Sequence, residues 1–278
     1  MIELKEAIEI FEKNGIKVQV DNNNMLIISH YHQPKGKTFK EEGINENELI
    51  SHVIACDGKF ETRKSALTTF PLVACRELRL DEETEIAEMP NLKVVGVFVT
   101  NKKIKRLPKL KLAGSISMEE SIIKSLPKLK NAEVVIAQNS RLEELPSLEK
   151  VNKLCIVDTP LNDLKNLKTA GDVFICSSDE NNRNPISVLN NLEEVDKLFI
   201  ANSNLKSLPK LKKAGKVALY NCEIKSFKGS KETEVEIKNE ITDEELSEKF
   251  DSFTEWYNSD IMNKSMDLLG EMVNIIQG

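Results

Sequence analysis

A chain of 278 residues with 40% apolar and 30% charged residues can bury a large core, and an aromatic fraction of 5% means that aliphatic side chains must fill it. The net charge of -6 is uneven: residues 228–278 hold 5 Lys against 13 Asp or Glu, or -8, which leaves +2 on residues 1–227. No dominant basic surface is on offer to nucleic acid, and no apolar run reaches the ~18–20 residues of a membrane-spanning helix.

Residues 2–14 set Ile2, Leu4, Ala7, Ile8, Ile10 and Phe11 largely on one helical face, and Asn14-Gly15 supplies a stop. This start has no basic segment followed by an apolar one, so a secretory signal is not expected. Ile16 to Val20 alternates, Asp21 to Asn24 is turn-forming and Met25 to Ile28 is apolar, which predicts a β-hairpin. An α+β cap over residues 1–48 is therefore expected, shielding the edge of whatever follows. His30-Tyr31-His32 would place two imidazoles on one side of a strand, but no third ligand has suitable spacing, although His52 exists. No metal or other cofactor is expected. Residues 33–48 read as a polar connection and Leu49 to Cys56 as a further strand.

From residue 60 one pattern governs the chain. The boxes Leu107-Pro108-Lys109-Leu110, Leu126-Pro127-Lys128-Leu129 and Leu145-Pro146-Ser147-Leu148 recur every nineteen residues, and Leu208-Pro209-Lys210-Leu211 joins them after a six-residue insertion. The first apolar strand positions are Phe60, Leu78, Val97, Ile116, Val135, Leu154, Val173, Leu198, Val217 and Val235. A second apolar residue stands two places on in most repeats (Met118, Ala137, Ile156, Ile175, Ile200 and Leu219 among them), so both side chains point to one face of a strand. A fixed period of this length marks supersecondary units that bury their apolar faces only by stacking.

The skeleton resembles the leucine-rich repeat, LxxLxLxxNxLxxLPxxL, over residues 60–237, and the boxes look like those of the short bacterial repeats. The resemblance implies an α/β leucine-rich repeat solenoid: a curved parallel β-sheet with an extended convex side carrying single 3₁₀ turns. The array is set at residues 49–240. The asparagine slot of the family holds Ser65, Ser121, Ser140, Thr159, Ser203 and Cys222 here. Hydroxyls can make the same bond to backbone, more weakly.

Beyond the array, Thr242-Asp243-Glu244-Glu245 has the form of a capping box. Leu246, Phe250, Phe253, Trp256 and Tyr257 follow at helical spacing, and Ile261 to Ile276 forms a second amphipathic run. Residues 241–278 are expected to be a C-terminal helical cap over the last repeat.

No phosphate-cradling glycine loop, nucleophile elbow or HExxH motif is present, and the three histidines are confined to residues 30–52. Enzyme activity is not expected. The five cysteines are odd in number and include no CxxC pair, which fits reduced thiols and a cytoplasmic setting. The residue between the two inward strand positions should face the concave surface, and that column runs Glu61, Arg79, Phe98, Ser117, Ile136, Cys155, Phe174, Phe199, Ala218 and Glu236. An apolar stripe rimmed by charge marks a binding surface. Phe98, Ile136, Phe174 and Phe199, with Tyr220 beside them, are the expected contacts for a protein partner, a second copy of the chain included. The alternative is that a neighbouring segment, the N-terminal unit or the C-terminal helix, folds over the stripe; a partner is the preferred reading. Two further readings stand beside this one: an effector-like protein delivered to another cell, and a peptide or small-molecule binder using the insertion at residues 177–185. Lysines beside the boxes (Lys109, Lys111, Lys128, Lys130, Lys210, Lys212, Lys213) read as solubilising.

Overall fold

The structure is a computed structural model that describes residues 2–224 and 233–254, without the side chains of residues 253 and 254. Phe227, Trp256, Tyr257 and the run from Ile261 to Ile276 lie outside the described residues.

The chain opens with α1 (Leu4–Lys13), β1 (Val18–Val20) and β2 (Leu26–Ile28), then α2 (Glu46–Ser51) and β3 (Val53–Glu61). Nine strands follow: β4 (Ala74–Arg79), β5 (Val94–Val99), β6 (Leu112–Ser117), β7 (Asn131–Gln138), β8 (Lys150–Val157), β9 (Thr169–Cys176), β10 (Glu194–Ser203), β11 (Lys213–Cys222) and β12 (Glu234–Lys238). The last described element is α3 (Asp243–Thr254). All twelve strands form one sheet in sequence order. Only β1 and β2 pair antiparallel; every other pair is parallel. The molecule is a parallel β-solenoid with a curved sheet, a period of about nineteen residues and helices at both ends.

The interior file runs Phe60, Leu78, Phe98, Ile116, Val135, Leu154, Val173, Leu198 and Val217, all buried. One member differs from the sequence expectation. Phe98, not Val97, pairs with Leu78 and Ile116, so Phe98 belongs to the interior and not to the outer column. Nineteen-residue counting misplaces it because the steps into and out of β5 are 20 and 18 residues, which average to the period. Val97 and Val99 face outward instead, and Val99 is 41% exposed. Close stacking of the strands explains Gly96. Its neighbour strand approaches so closely that a Cβ would lie 2.3 Å from the Arg76 carbonyl oxygen, so only glycine fits.

Each LPxL box is a single turn. The amides of Leu110, Leu129, Leu148 and Leu211 donate to the carbonyls of Leu107, Leu126, Leu145 and Leu208 at 3.2–3.5 Å. Proline at the second position supplies the backbone φ that such a turn needs and gives up a donor it does not use. Isolated parallel bridges such as Ser125–Glu144 and Glu144–Asp163 join neighbouring turns. The convex side is thus extended chain punctuated by single turns, as expected.

At the corner after the strands four of the six slot residues accept an amide as the pattern requires, while Thr159 and Cys222 donate to backbone carbonyls instead. The amides of Leu67, Ile123, Leu142 and Leu205 donate to the hydroxyls of Ser65, Ser121, Ser140 and Ser203 at 3.2–3.4 Å. Asn101 and Asn184 serve the same corner, accepting from Ile104 and Ile186; the shifted register of β5 and the insertion hide both from simple counting. The residue before the slot is Lys64, Glu120, Asn139, Asp158, Asn202 or Asn221, each with φ between 46° and 59°. Four of these six are Asn or Asp, whose short polar side chains tolerate the left-handed conformation best.

The N-terminal unit is tied to the array by a buried carboxylate. Glu46, 2% exposed, accepts from the Tyr31 hydroxyl at 2.6 Å, Gln33 Nε2 at 2.7 Å, the Ser65 hydroxyl at 2.6 Å and the Ala66 amide at 2.9 Å. Its helix α2 runs from the end of the expected polar connection into the start of the expected strand at Leu49, and the strand itself begins only at Val53. The missed signal is Asn45 followed three residues later by Glu48: the Asn45 side chain caps the amides of Asn47 and Glu48.

Candidate protein-binding face

Three outward columns cross β7 to β12. The first is Val134, Lys153, Asp172, Lys197, Lys216 and Glu234; the second is Ile136, Cys155, Phe174, Phe199, Ala218 and Glu236. The third is Gln138, Val157, Cys176, Ala201, Tyr220 and Lys238. Parallel pairing in strict register forces this, because each repeat delivers the same strand position to the same height.

Of the residues expected from sequence to share this face, Ile136, Phe174, Phe199 and Tyr220 do, and Phe98 does not. Phe174, Phe199, Tyr220, Cys155, Val157, Cys176, Ala201 and Ala218 form one buried apolar cluster, and Ile136 packs at its margin. The Phe174 and Phe199 rings stack 4.6 Å apart, and Tyr220 follows 5.4 Å from Phe199.

The cluster is buried because α3 lies on it. Ile241, Leu246 and Phe250 pack against it, and the Phe250 ring stands 5.7 Å from Phe174. The C-terminal helical cap is present as expected, and within the described residues its helix α3 packs on the outer face of the sheet. Val235 of the last strand remains 40% exposed. Leu246 and Phe250 are four residues apart, one turn of the same helical face. The helix starts at the expected capping box, with the Glu245 amide donating to the Thr242 hydroxyl at 3.1 Å and the Thr242 amide to Glu245 Oε2 at 3.2 Å.

Charges close the end of the face. Lys238 Nζ meets Glu236 at 3.1 Å and Glu245 at 3.4 Å and stands 5.3 Å over the Tyr220 ring. The Tyr220 hydroxyl beside it, and then Lys238, hold the Glu236 carboxylate below the ordinary range. Burial first, then Glu236, pushes the Tyr220 phenol up. Burial pushes the Cys155 thiol up to about 12 and raises Cys176 further. Neither thiol has the electropositive, accessible surroundings of a nucleophile.

His30 and His32 stack 4.9 Å apart, and among the described residues no group of three or more His, Cys, Asp or Glu could hold a metal ion. No described helix is long and apolar enough to cross a membrane. Of the convex lysines, Lys130 and Lys212 pair with Glu149 and Glu193 on neighbouring repeats; such exposed pairs contribute ~0–1 kcal/mol each. The insertion is pinned to the rim, with Ser178 on Asp158 and Arg183 on Asn221 at 2.5 Å.

Comparison with known proteins adds no relative: no family model, curated protein or solved structure matches the chain. Fold and site together define a repeat-solenoid scaffold, compatible with a protein-binding module, whose open face holds an amphipathic helix.

Proposed function

We propose that this chain is a non-catalytic protein-interaction module of the leucine-rich repeat kind. It receives a helical segment of a protein partner on the outer face of β7–β11, around Ile136, Phe174, Phe199 and Tyr220. The observation that carries this reading is α3 itself. The face accommodates an amphipathic helix through anchors one turn apart, the mode by which grooves receive partner helices. The repeat skeleton, its turn-forming boxes and its hydroxyl-lined corners support the leucine-rich repeat assignment. Unbonded cysteines support a reducing, cytoplasmic setting.

Magnitudes favour exchange. A fully buried Leu or Phe contributes about 1.5–3 kcal/mol, and Ile241, Leu246 and Phe250 are only partly buried. A partner helix with one or two further anchors reaching Ile136 outcompetes α3, because a tethered occupant resists only by its own small docking free energy. The chain's own helix then acts as a built-in competitor that raises the affinity a partner must have.

The experiment is a binding titration with a labelled peptide of residues 241–254. A Leu246→Ser/Phe250→Ser chain, whose own helix cannot dock, should bind the peptide in trans at least about tenfold more tightly than wild type. Adding Phe174→Ser/Phe199→Ser should abolish that gain. Equal binding by all three chains would remove the face as a helix receptor. The same chains serve as baits: a true partner is enriched by the anchor variant and lost from the face variant.

A further inference from the structure

On the convex side, away from the face that holds α3, a groove of about 500 Å³ crosses the boxes of two repeats and reaches a third. Its floor is apolar: Leu107 and Pro108 come from one box, Pro127 from the next, and Ile122 lies between them. That floor is open, since Pro127 is exposed and Pro108 and Ile122 are only half-buried. Ile122 joins none of the apolar clusters among the described residues. The residue before the corner leucine or isoleucine is Lys103, Arg141, Asn204 or Glu223 in other repeats, so the repeat itself does not require an apolar side chain at Ile122. Exposed apolar surface rimmed by polar groups marks an interaction site.

The rim of this groove holds Lys105, Arg106, Lys124 and Arg141, and its lining includes no carboxylate. Arg106 pairs with Glu88 at 2.8 Å and Lys124 with Glu143 at 2.7 Å, so these two charges are met from outside the groove. Lys105 and Arg141 are exposed, and among the described residues neither side chain has an ion pair or a hydrogen bond. They stand 36 residues apart, close to two repeats, and two strand spacings amount to about 10 Å. Bridges between neighbouring turns, such as Ser125–Glu144, keep the convex side in step with the sheet. The two unmet charges are therefore set apart along the groove, with Ile122 and Pro127 of the intervening repeat between them.

We infer that this groove receives an extended acidic segment of a protein partner, with two carboxylates about three residues apart and an aliphatic side chain between them. An extended chain rises ~3.3 Å per residue, so three residues span the ~10 Å between the free cations. Arg141 takes one carboxylate through its forked N–H groups, and Lys105 takes the other as a point charge. The aliphatic side chain lies on Ile122 and Pro127. A single small carboxylate leaves one of the two cations unmet, which favours a chain over a small anion. The site is independent of the helix-receiving face, since it lies on the other side of the solenoid and shares no residue with it.

The test is a titration of the full chain with the end-blocked peptide Ser-Gly-Glu-Leu-Val-Glu-Gly-Ser, followed by amide shifts in heteronuclear NMR. Three controls run beside it: the peptide with Gln for both Glu, the peptide with Ser-Ser for Leu-Val, and octanoate. The expected result is saturable binding of the acidic apolar peptide alone, with shifts at Lys105, Ile122 and Arg141 and none at Phe174 or Phe199. Affinity should weaken as salt rises and fall about five- to tenfold in a Lys105→Ala/Arg141→Ala chain. Both side chains are exposed, so the variant should fold; an unchanged melting temperature without peptide checks this. A Lys105→Glu/Arg141→Glu chain should reject the peptide and bind its counterpart with Lys for both Glu. Absence of binding to wild type, equal binding of the Gln or Ser peptide, or affinity unchanged in the alanine variant would each overturn the assignment. Octanoate binding as tight as the peptide would overturn the two-carboxylate arrangement, and shifts confined to the face that holds α3 would overturn the site.

Discussion

Phe174 on β9 and Phe199 on β10 lie directly opposite each other in the parallel ladder, their rings 4.6 Å apart and 6° from coplanar. The repeat stacks them: the same position in two successive turns of the solenoid must fall at the same height on the sheet, whatever insertion separates the two in sequence. Stacked aromatics in one column make a flat apolar platform, and α3 rests on it.

Removing the anchor should free the helix without unfolding the solenoid. Phe250→Ala should raise amide exchange across residues 243–254 by roughly three- to tenfold, corresponding to ~0.7–1.4 kcal/mol for a side chain that is only partly buried. Exchange in β5 to β8 should stay unchanged. Uniform loss of protection through the sheet would show instead that α3 is integral to the core.

Phe98 and Ile136 should respond in opposite ways. Phe98 is buried in the interior between Leu78 and Ile116, so Phe98→Ala should cost about 3–5 kcal/mol and lower the urea midpoint markedly. Ile136 sits half-buried at the margin of the outer cluster, and Ile136→Ala should cost ~1 kcal/mol or less. Similar losses at both positions would contradict the one-residue register shift in β5.

Glu46 accepts from four donors, Tyr31 and Gln33 within the N-terminal unit and Ser65 and Ala66 of the first repeat, and so holds the one to the other. Glu46→Ala leaves them without their acceptor in a buried site and should destabilise the unit by ~3 kcal/mol or more. Hydrogen exchange should rise in α1, α2 and β2 while β8 to β11 stay protected. Fluorescence of Tyr31, which stacks on Phe60 at 4.5 Å, offers a second readout.

Helix docking should weaken in acid. The Glu236 and Glu245 carboxylates are both held below their ordinary value of 4.5. For Glu236 the Tyr220 hydroxyl acts first, then Lys238; for Glu245 the Thr242 amide acts first, then Lys238. A lowered carboxylate favours the folded form above its unfolded pKa and loses that contribution as pH falls through its folded pKa. Protection of α3 should therefore be flat from pH 8 to about 5 and decline below about 4.5. Lys238→Met should flatten that decline. A decline centred near pH 6.5 would point to histidine instead.

The cysteines should be silent in the native chain. Burial pushes Cys155 up to about 12 and Cys222 up to about 11, so almost no thiolate exists at pH 8. A thiol-reactive dye should label all five cysteines in denaturant and Cys155 and Cys176 at most slowly without it. Rapid native labelling of Cys155 would mean that α3 leaves the face often.

The amino-acid sequence by itself determined the solenoid, the strand order and the corner chemistry. These are written in a local period: each apolar position recurs about nineteen residues on, and stacking turns that recurrence into files of contacts such as Val135, Leu154 and Val173. The boxes carry their own turns because proline and the flanking leucines act within four residues. Tertiary structure alone decided three things. The side of the sheet on which Phe98 falls depends on steps of 20 and 18 residues that a mean period conceals. The helix at Glu46 is held by contacts with Tyr31 and Ser65, fifteen and nineteen residues away, where composition signals the end of a loop and the start of a strand. The occupancy of the outer face rests on Phe250 meeting Phe174 across 76 residues of chain; no periodicity encodes that contact, because α3 belongs to no repeat and could bury its apolar face only where the sheet left one open.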